Sequence, residues 1–144
     1  MLKNKIQNFT FLLMSFILNS CSVSTPFFIQ NISEKDVEIK IVYNYEIKEL
    51  DKFGDFKIVY QNGILNQKEF DKSTELINIE QKQLNDSTLQ IYIPKNSTAR
   101  IARTGNTYFI NKIKSISYDN KDLSIEEVLK KSSSKNWKIT YKIE

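Results

Sequence analysis

The chain has 144 residues, 40% hydrophobic and 26% charged, a balance that suits one globular domain rather than a disordered chain. It holds no His and a single Cys, which removes a Ser-His-Asp triad, a Cys-His dyad, a His-ligated zinc, an internal disulfide and any multi-Cys metal cluster. The formal net charge of +4 is mildly basic.

Met1 to Ser20 reads as a secretion signal. Lys3 and Lys5 open it with positive charge, and Phe9 to Leu18 is an apolar run of ten residues. A bilayer-spanning helix needs about 20 apolar residues, so the run is too short to span and matches the core of a cleaved signal. Directly after it, Leu18-Asn19-Ser20-Cys21 resembles the lipobox of bacterial lipoproteins, with Leu three residues before the Cys and a small residue just before it. The resemblance covers residues 1–21. It implies acylation of the Cys21 thiol, cleavage before Cys21 and acylation of the new amine. Ser22, where Asp would retain the protein at the inner membrane, implies the outer membrane, with the domain facing the periplasm. Two or three acyl chains, at about 0.8 kcal/mol per buried CH₂, anchor essentially permanently. Residues 21–26 are then the lipidated Cys with a short tether of at most roughly 17 Å, and residues 27–144 a single β-rich domain. Loss of Lys3 and Lys5 leaves 19 basic and 17 acidic residues, so a nucleic-acid partner loses its only global support.

The clearest structural signal is Val37 to Lys48, where Val37, Ile39, Ile41, Tyr43, Tyr45 and Ile47 alternate with mainly polar residues. Period two predicts a long half-buried strand. The polar turn Asn31–Asp36 predicts a hairpin between it and Phe27–Gln30. Phe56, Ile58 and Tyr60 alternate up to Asn62-Gly63, the preferred two-residue hairpin turn. Leu89, Ile91 and Ile93 form the next strand and Thr98–Arg103 another, broken at Gly105-Asn106. Thr107–Tyr118 is β-rich with blurred periodicity, and Trp137, Ile139, Tyr141 and Ile143 alternate with Lys138, Thr140 and Lys142 at the end. Ile47, Leu50 and Phe53 also fit a helical turn capped by Gly54, and Ser73–Leu84 fits either a strand around Leu76–Ile79 or a short helix. One helix is well marked: Ser124-Ile125-Glu126-Glu127 is a capping box, stapled by Leu123 and Val128 and closed by Lys130 and Lys131 before Ser132. About seven short strands with regular turn signals predict a small antiparallel β-sandwich with one short helix. A small open β-barrel is the alternative.

Chemical motifs are sparse. Ser132-Ser133-Ser134-Lys135 matches S-x-x-K, in which a Lys activates a Ser, but the partner motifs S-D-N and K-T-G are absent from the sequence. Asp119-Asn120-Lys121-Asp122 lacks the alternating ligands of a calcium loop and reads as a tight turn. Glu126 and Glu127 point about 100° apart on a helix and make no catalytic pair. Tyr43, Tyr45, Tyr60, Tyr92, Tyr108, Tyr118, Tyr141 and Trp137 have the chemistry to stack on sugars or bases, but mostly occupy the apolar positions of alternating strands, where core packing is the default. The C-terminal lysines read as protection of an outer or edge strand. No cofactor or metal is expected, and the only assigned site residue is Cys21, for lipid attachment. The expected function is a non-enzymatic binding or structural module, anchored in the cell envelope, whose partner is an envelope protein, peptidoglycan or lipid. The alternatives are a small glycan or lipid hydrolase using convergent carboxylates, and a lipid-anchored inhibitor or immunity protein.

Overall fold

The computed structural model describes residues 22–144, so the signal segment and Cys21 lie outside the described residues. Along the chain run β1 (Ser24–Asn31), β2 (Val37–Tyr43), a 3₁₀ turn (Ile47–Phe53), β3 (Val59–Asn62), α1 (Gln67–Lys72), β4 (Ile77–Asn78), β5 (Gln81–Asn85), β6 (Thr88–Ile93), β7 (Ser97–Gly105), a second 3₁₀ turn (Tyr108–Asn111), β8 (Ile113–Tyr118), β9 (Lys121–Ser124), α2 (Ile125–Lys131), β10 (Ser133–Lys135) and β11 (Lys138–Ile143). They form two sheets, β10-β11-β1-β7-β3-β4 and β5-β6-β2-β8-β9. The inward residues of both sheets meet in one core that includes Phe27, Ile29, Ile39, Ile41, Ile91, Ile101, Ile116, Tyr141 and Ile143. The architecture is a small β-sandwich. Its sheets do not close into a barrel.

Alternation marks the strands that bury one face. β2 and β6 place every second residue in the core, and β11 buries Ile139, Tyr141 and Ile143 while Lys142 stays exposed. β1 is different, because Phe27 and Ile29 face the main core while Phe28 packs outward against Phe70 of α1, ring centroids 5.1 Å apart. A β-bulge sits where β7 passes Phe27 and Phe28: Phe27 pairs with Ala102 and Phe28 with Arg100. The extra residue resets the phase, so Ile101 and Ala102 both reach the core.

Several expectations are corrected. β1 and β2 form no hairpin and belong to opposite sheets. The crossing is held by Asn31, whose fully buried Nδ2 donates to the carbonyls of Lys35, Ile93 and Pro94 at 2.8, 3.0 and 3.1 Å. β1 pairs instead with β7 and, in parallel, with β11, so the sandwich is not wholly antiparallel. The long strand over Val37–Lys48 stops at Tyr43. There the Asn44 and Ile47 amides leave the ladder for the carbonyls of Lys112 and Asp86, and the helical spacing of Ile47, Leu50 and Phe53 prevails. The turn is closed by Gly54 at φ +149°, where a Cβ would stand 2.6 Å from Thr104 Cγ2. Asn62-Gly63 makes no two-residue hairpin, since β3 pairs with β7 and β4 and the chain passes from Gly63 toward α1. Ser73–Leu84 holds two short strands, β4 and β5, and the described strands number eleven rather than about seven. Trp137 lies in the β10–β11 turn, 61% exposed, not in the strand. β11 is not an edge strand, because β10 covers it.

The capping box at Ser124 is present as expected, with Leu123 and Val128 buried beside it. α1 carries a second box, Asn66 to Glu69, and buries only Phe70.

Tyr43 gives a stability prediction. Its ring packs edge-on to Phe56, and its hydroxyl is buried without a hydrogen-bond partner. Burial pushes its pKa well above the ordinary tyrosine value of 10.0. An acid whose folded pKa is raised favours unfolding once the unfolded chain begins to ionise, so stability falls as the pH rises above about 10. Tyr43→Phe removes both the unpaired hydroxyl and this ionisation. It should raise the unfolding free energy by about 1 kcal/mol near neutrality and lessen the alkaline loss, as read from urea denaturation at pH 7 to 11.

Candidate functional site

Three polar assemblies stand out on the folded domain. The first is a recess of about 520 Å³ at the β8–β9 turn, lined by Glu38, Lys40, Ser117, Asp119, Asp122 and their neighbours. It does bring carboxylates together. Each is exposed and engaged, however: Glu38 accepts from the Tyr92 hydroxyl at 2.8 Å, Asp119 pairs with Lys35 at 3.2 Å, and Asp122 accepts from Ser117 at 2.8 Å. Asp119 and Asn120 have φ of 46° and 59°, the left-handed pair that a tight turn requires. Among the described residues no His, Cys, Asp and Glu group has the geometry to hold a metal ion.

The second assembly surrounds Lys112, which is 1% exposed. Its Nζ lies 3.6 Å from the ring centre of Phe53, 4.1 Å from that of Tyr45 and 4.3 Å from that of Tyr108, and donates to the Tyr108 hydroxyl at 3.2 Å. Three rings offer the ammonium their negative faces and replace part of its hydration. The cage therefore joins the two 3₁₀ turns to the end of β2 and is filled by the chain's own lysine. It holds the domain together at this end rather than binding a ligand.

The third assembly is an open groove of about 770 Å³ on the outer face of the larger sheet. Its formation follows from β1. Phe28 and Val59 are apolar on the outer side of the sheet, and Phe70 of α1 seals them together with Leu65. α1 then stands as a wall beside the outward residues of β11 and β10. Strand pairing brings Ser133 opposite Thr140 and Lys135 opposite Lys138, so these share one face. Lys68, Lys72, Lys135, Lys138 and Lys142 line the groove, with Asp71 as its only carboxylate and Gln30, Asn66, Gln67, Ser133, Asn136 and Thr140 as neutral polar groups. Asp71 accepts from Gln67 Nε2 at 3.1 Å. None of the five lysines is in an ion pair among the described residues. An adjoining recess adds Lys121 and Lys131 next to Lys142, together with the Glu144 carboxylate.

The sequence candidates sort plainly against this geometry. Cys21 lies outside the described residues. Ser132 of the S-x-x-K match caps α2 and spends its hydroxyl proton on the Val128 carbonyl at 2.7 Å, while Lys135 lines the groove. Glu127 is used in the capping box. Tyr43, Tyr118 and Tyr141 are core residues, and the buried Tyr118 and Tyr141 hydroxyls share a 2.6 Å hydrogen bond. Tyr45, Tyr92, Tyr108 and Trp137 are exposed, contrary to the core default. The groove went unseen because its lysines come from two separate segments. The visible signal was the box Asn66-Gln67-Lys68-Glu69, which announces α1, with lysines at 68 and 72 one turn apart.

Comparison with protein-family models, with curated proteins and with solved structures gave no match.

The cage is testable on its own. Lys112→Met keeps most of the side-chain length and removes the charge. It should lower the thermal midpoint by a few degrees, because cation–π contacts at enclosed sites exceed those at exposed ones. Circular dichroism melts at low and high salt should show the same loss, since enclosed contacts are weakly screened.

Proposed function

We propose that the chain is a lipid-anchored, non-enzymatic binding module of the bacterial cell envelope that holds an anionic polymer in the groove between α1 and β11. The groove carries this reading: five lysines without an ion pair among the described residues face a single carboxylate, on a chain whose overall charge is close to balanced once residues 1–20 are removed. Lysines are compact point charges without the planar fork that arginine offers to carboxylate or phosphate. The two arginines of the neighbouring strand are occupied elsewhere, Arg100 with Asp55 at 3.0 Å and Arg103 with Ser24 at 3.0 Å. Such a lining recognises charge density along an extended chain better than one small ligand of fixed shape. Peptidoglycan, whose peptide stems bear carboxylates, fits that chemistry in the outer-membrane, periplasm-facing location that the lipobox resemblance implies.

A second reading, the carboxylate hydrolase, draws support from the Glu38, Asp119 and Asp122 recess. It is weaker because each of these carboxylates is exposed and already engaged, Glu38 by Tyr92, Asp119 by Lys35 and Asp122 by Ser117. If the recess were catalytic, Glu38→Gln with Asp122→Asn would abolish release of sugar or acyl products from purified envelope.

Two measurements test the leading reading. Wild-type protein should sediment with purified cell-wall sacculi, and Lys68→Glu, Lys72→Glu, Lys142→Glu combined should remove most of that binding. Raising the salt from 50 to about 300 mM should weaken the wild type in the same way. A wild type that stays in solution at low salt would sink the proposal. Separately, Cys21→Ala should abolish acyl labelling and release the protein from the membrane fraction.

A further inference from the structure

We infer that the end of the sandwich where β1 begins is a membrane-contacting rim, with Trp137 inserted among the headgroups of an anionic bilayer. The inference rests on the lipoprotein reading of Cys21 and adds to it a fixed orientation of the domain.

The chain just after Cys21 has little freedom. Val23 N donates to Asn106 Oδ1 at 2.9 Å, and Asn106 N donates back to the Val23 carbonyl at 2.8 Å. Only Ser22 separates that clamp from Cys21, and Ser24, the first residue of β1, already pairs with Gly105. The five-residue tether expected from sequence is therefore mostly strand. A lipid on Cys21 would hold the start of β1 within roughly 10 Å of the bilayer surface.

Register places Trp137 at the same end. β1 and β11 run parallel, with Phe27 beside Ile139 and Asn31 beside Ile143. The turn that precedes β11 therefore lies level with the first residues of β1, one strand away, about 5 Å. Trp137 occupies that turn with φ +64° after Asn136 at +52°. A two-residue turn of this kind ordinarily has Gly at its second central position, so a bulky ring there strains the backbone while remaining 61% exposed. Neither turn geometry nor packing accounts for an indole at this position, and strain of this kind gathers at functional positions.

The surroundings match a bilayer interface. Lys135 and Lys138 flank the indole in the β10–β11 pairing. Val23, 41% exposed, lies at the same end, as do Tyr108, 45% exposed three residues beyond Gly105, and Tyr45, 38% exposed beside it in the Lys112 cage. Trp and Tyr prefer the headgroup level because their rings are apolar with one polar edge, and lysines beside them attract anionic lipid. The opposite end carries the buried Asn31 staple and Tyr92, whose hydroxyl is tied to Glu38. The groove then runs along β11 from this rim, where Lys138 lies near the level of Pro26, to Lys142 beside Gln30 at the end farther from the membrane.

Trp137 is the only tryptophan in the chain and reports its own position. Full-length, acylated protein is reconstituted into vesicles of phosphatidylethanolamine and phosphatidylglycerol, with and without brominated acyl chains. The wild-type emission should shift to shorter wavelength and lose most of its intensity in the brominated vesicles. The double variant Trp137→Phe, Tyr92→Trp moves the indole to the far end, and its emission should stay that of a water-exposed indole, unquenched. Wild-type protein that floats with the vesicles but shows no shift and no quenching overturns the rim while leaving the anchor standing. Equal quenching of the far-end indole overturns the orientation. Protein with an unmodified Cys21 by mass spectrometry that fails to float overturns the anchor and the rim together.

Discussion

β1 is covered on both faces, and the rest of the molecule is arranged around that fact. A strand at a sandwich surface normally leaves alternate residues in water. Here Phe27 stacks on Phe109 in the main core, ring centroids 5.0 Å apart, while Phe28 is buried on the other side. Burying a phenylalanine contributes about 1.5–3 kcal/mol relative to leaving it exposed, and Phe28 obtains its cover from α1. α1 is only six residues long, too short to be stable alone, so the dependence is mutual: the Phe28–Phe70 contact fixes the helix and the helix seals the strand. Because β11 lies beside β1 in the same sheet, docking α1 over β1 also creates the wall of the lysine groove. The groove is thus a by-product of burying one phenylalanine.

Elements whose environment is one-sided were legible from sequence, and elements whose environment is two-sided or remote were not. β2, β6 and β11 alternate because one face meets the core and the other meets water, and the capping box of α2 is a purely local device. β1 shows no alternation, since Phe27 and Phe28 are both buried. Its hydrophobic run therefore gives no face to orient, and sequence alone offers only the adjacent strand as its partner. The true partners lie about 75 and 112 residues away along the chain. Asn62-Gly63 carried a strong hairpin signal that tertiary context overrode: β3 had a better partner in β7, and the Gly63 amide bonds the Asn96 carbonyl at 2.7 Å. The exposed aromatics misled for a related reason, because Tyr92 and Trp137 have strand-like spacing but the first faces water and the second turns a corner.

Charge illustrates the difference between composition and arrangement. The described chain is nearly balanced, and five ion pairs among its described residues tie up Lys35, Lys40, Lys48, Lys52 and Arg100. All but the last are exposed and contribute little stability. Their effect is rather to neutralise charge locally, whereas Lys68, Lys72, Lys135, Lys138 and Lys142, none in an ion pair among the described residues, gather along one groove. A surface lysine guarding an edge strand needs no companions. Lysines that converge from a helix and two strands on one groove, with a single acid among them, are the basis of the proposed binding.

The clamp at Val23 bears on how such a groove would work. An anchored domain with a long linker samples a thick layer above the bilayer, whereas one held at Val23 samples little more than its own height, roughly 25 Å for the eight residues of β1. A partner of a domain anchored in this way would have to come to it. Individual lysine contacts in an open groove are weak and screened by salt. Many copies confined to one membrane and facing one continuous anionic polymer nevertheless act together, and linkage of this kind raises effective binding by about 10²–10⁴ without new contacts. A rigid orientation helps only if every copy presents its groove the same way. The two ends of this sandwich differ in that respect: a polar staple around Asn31 closes one, and aromatic side chains with lysines crown the other. Weak charge recognition, a short attachment and a molecule with distinct ends would therefore be mutually consistent parts of the proposed binding device.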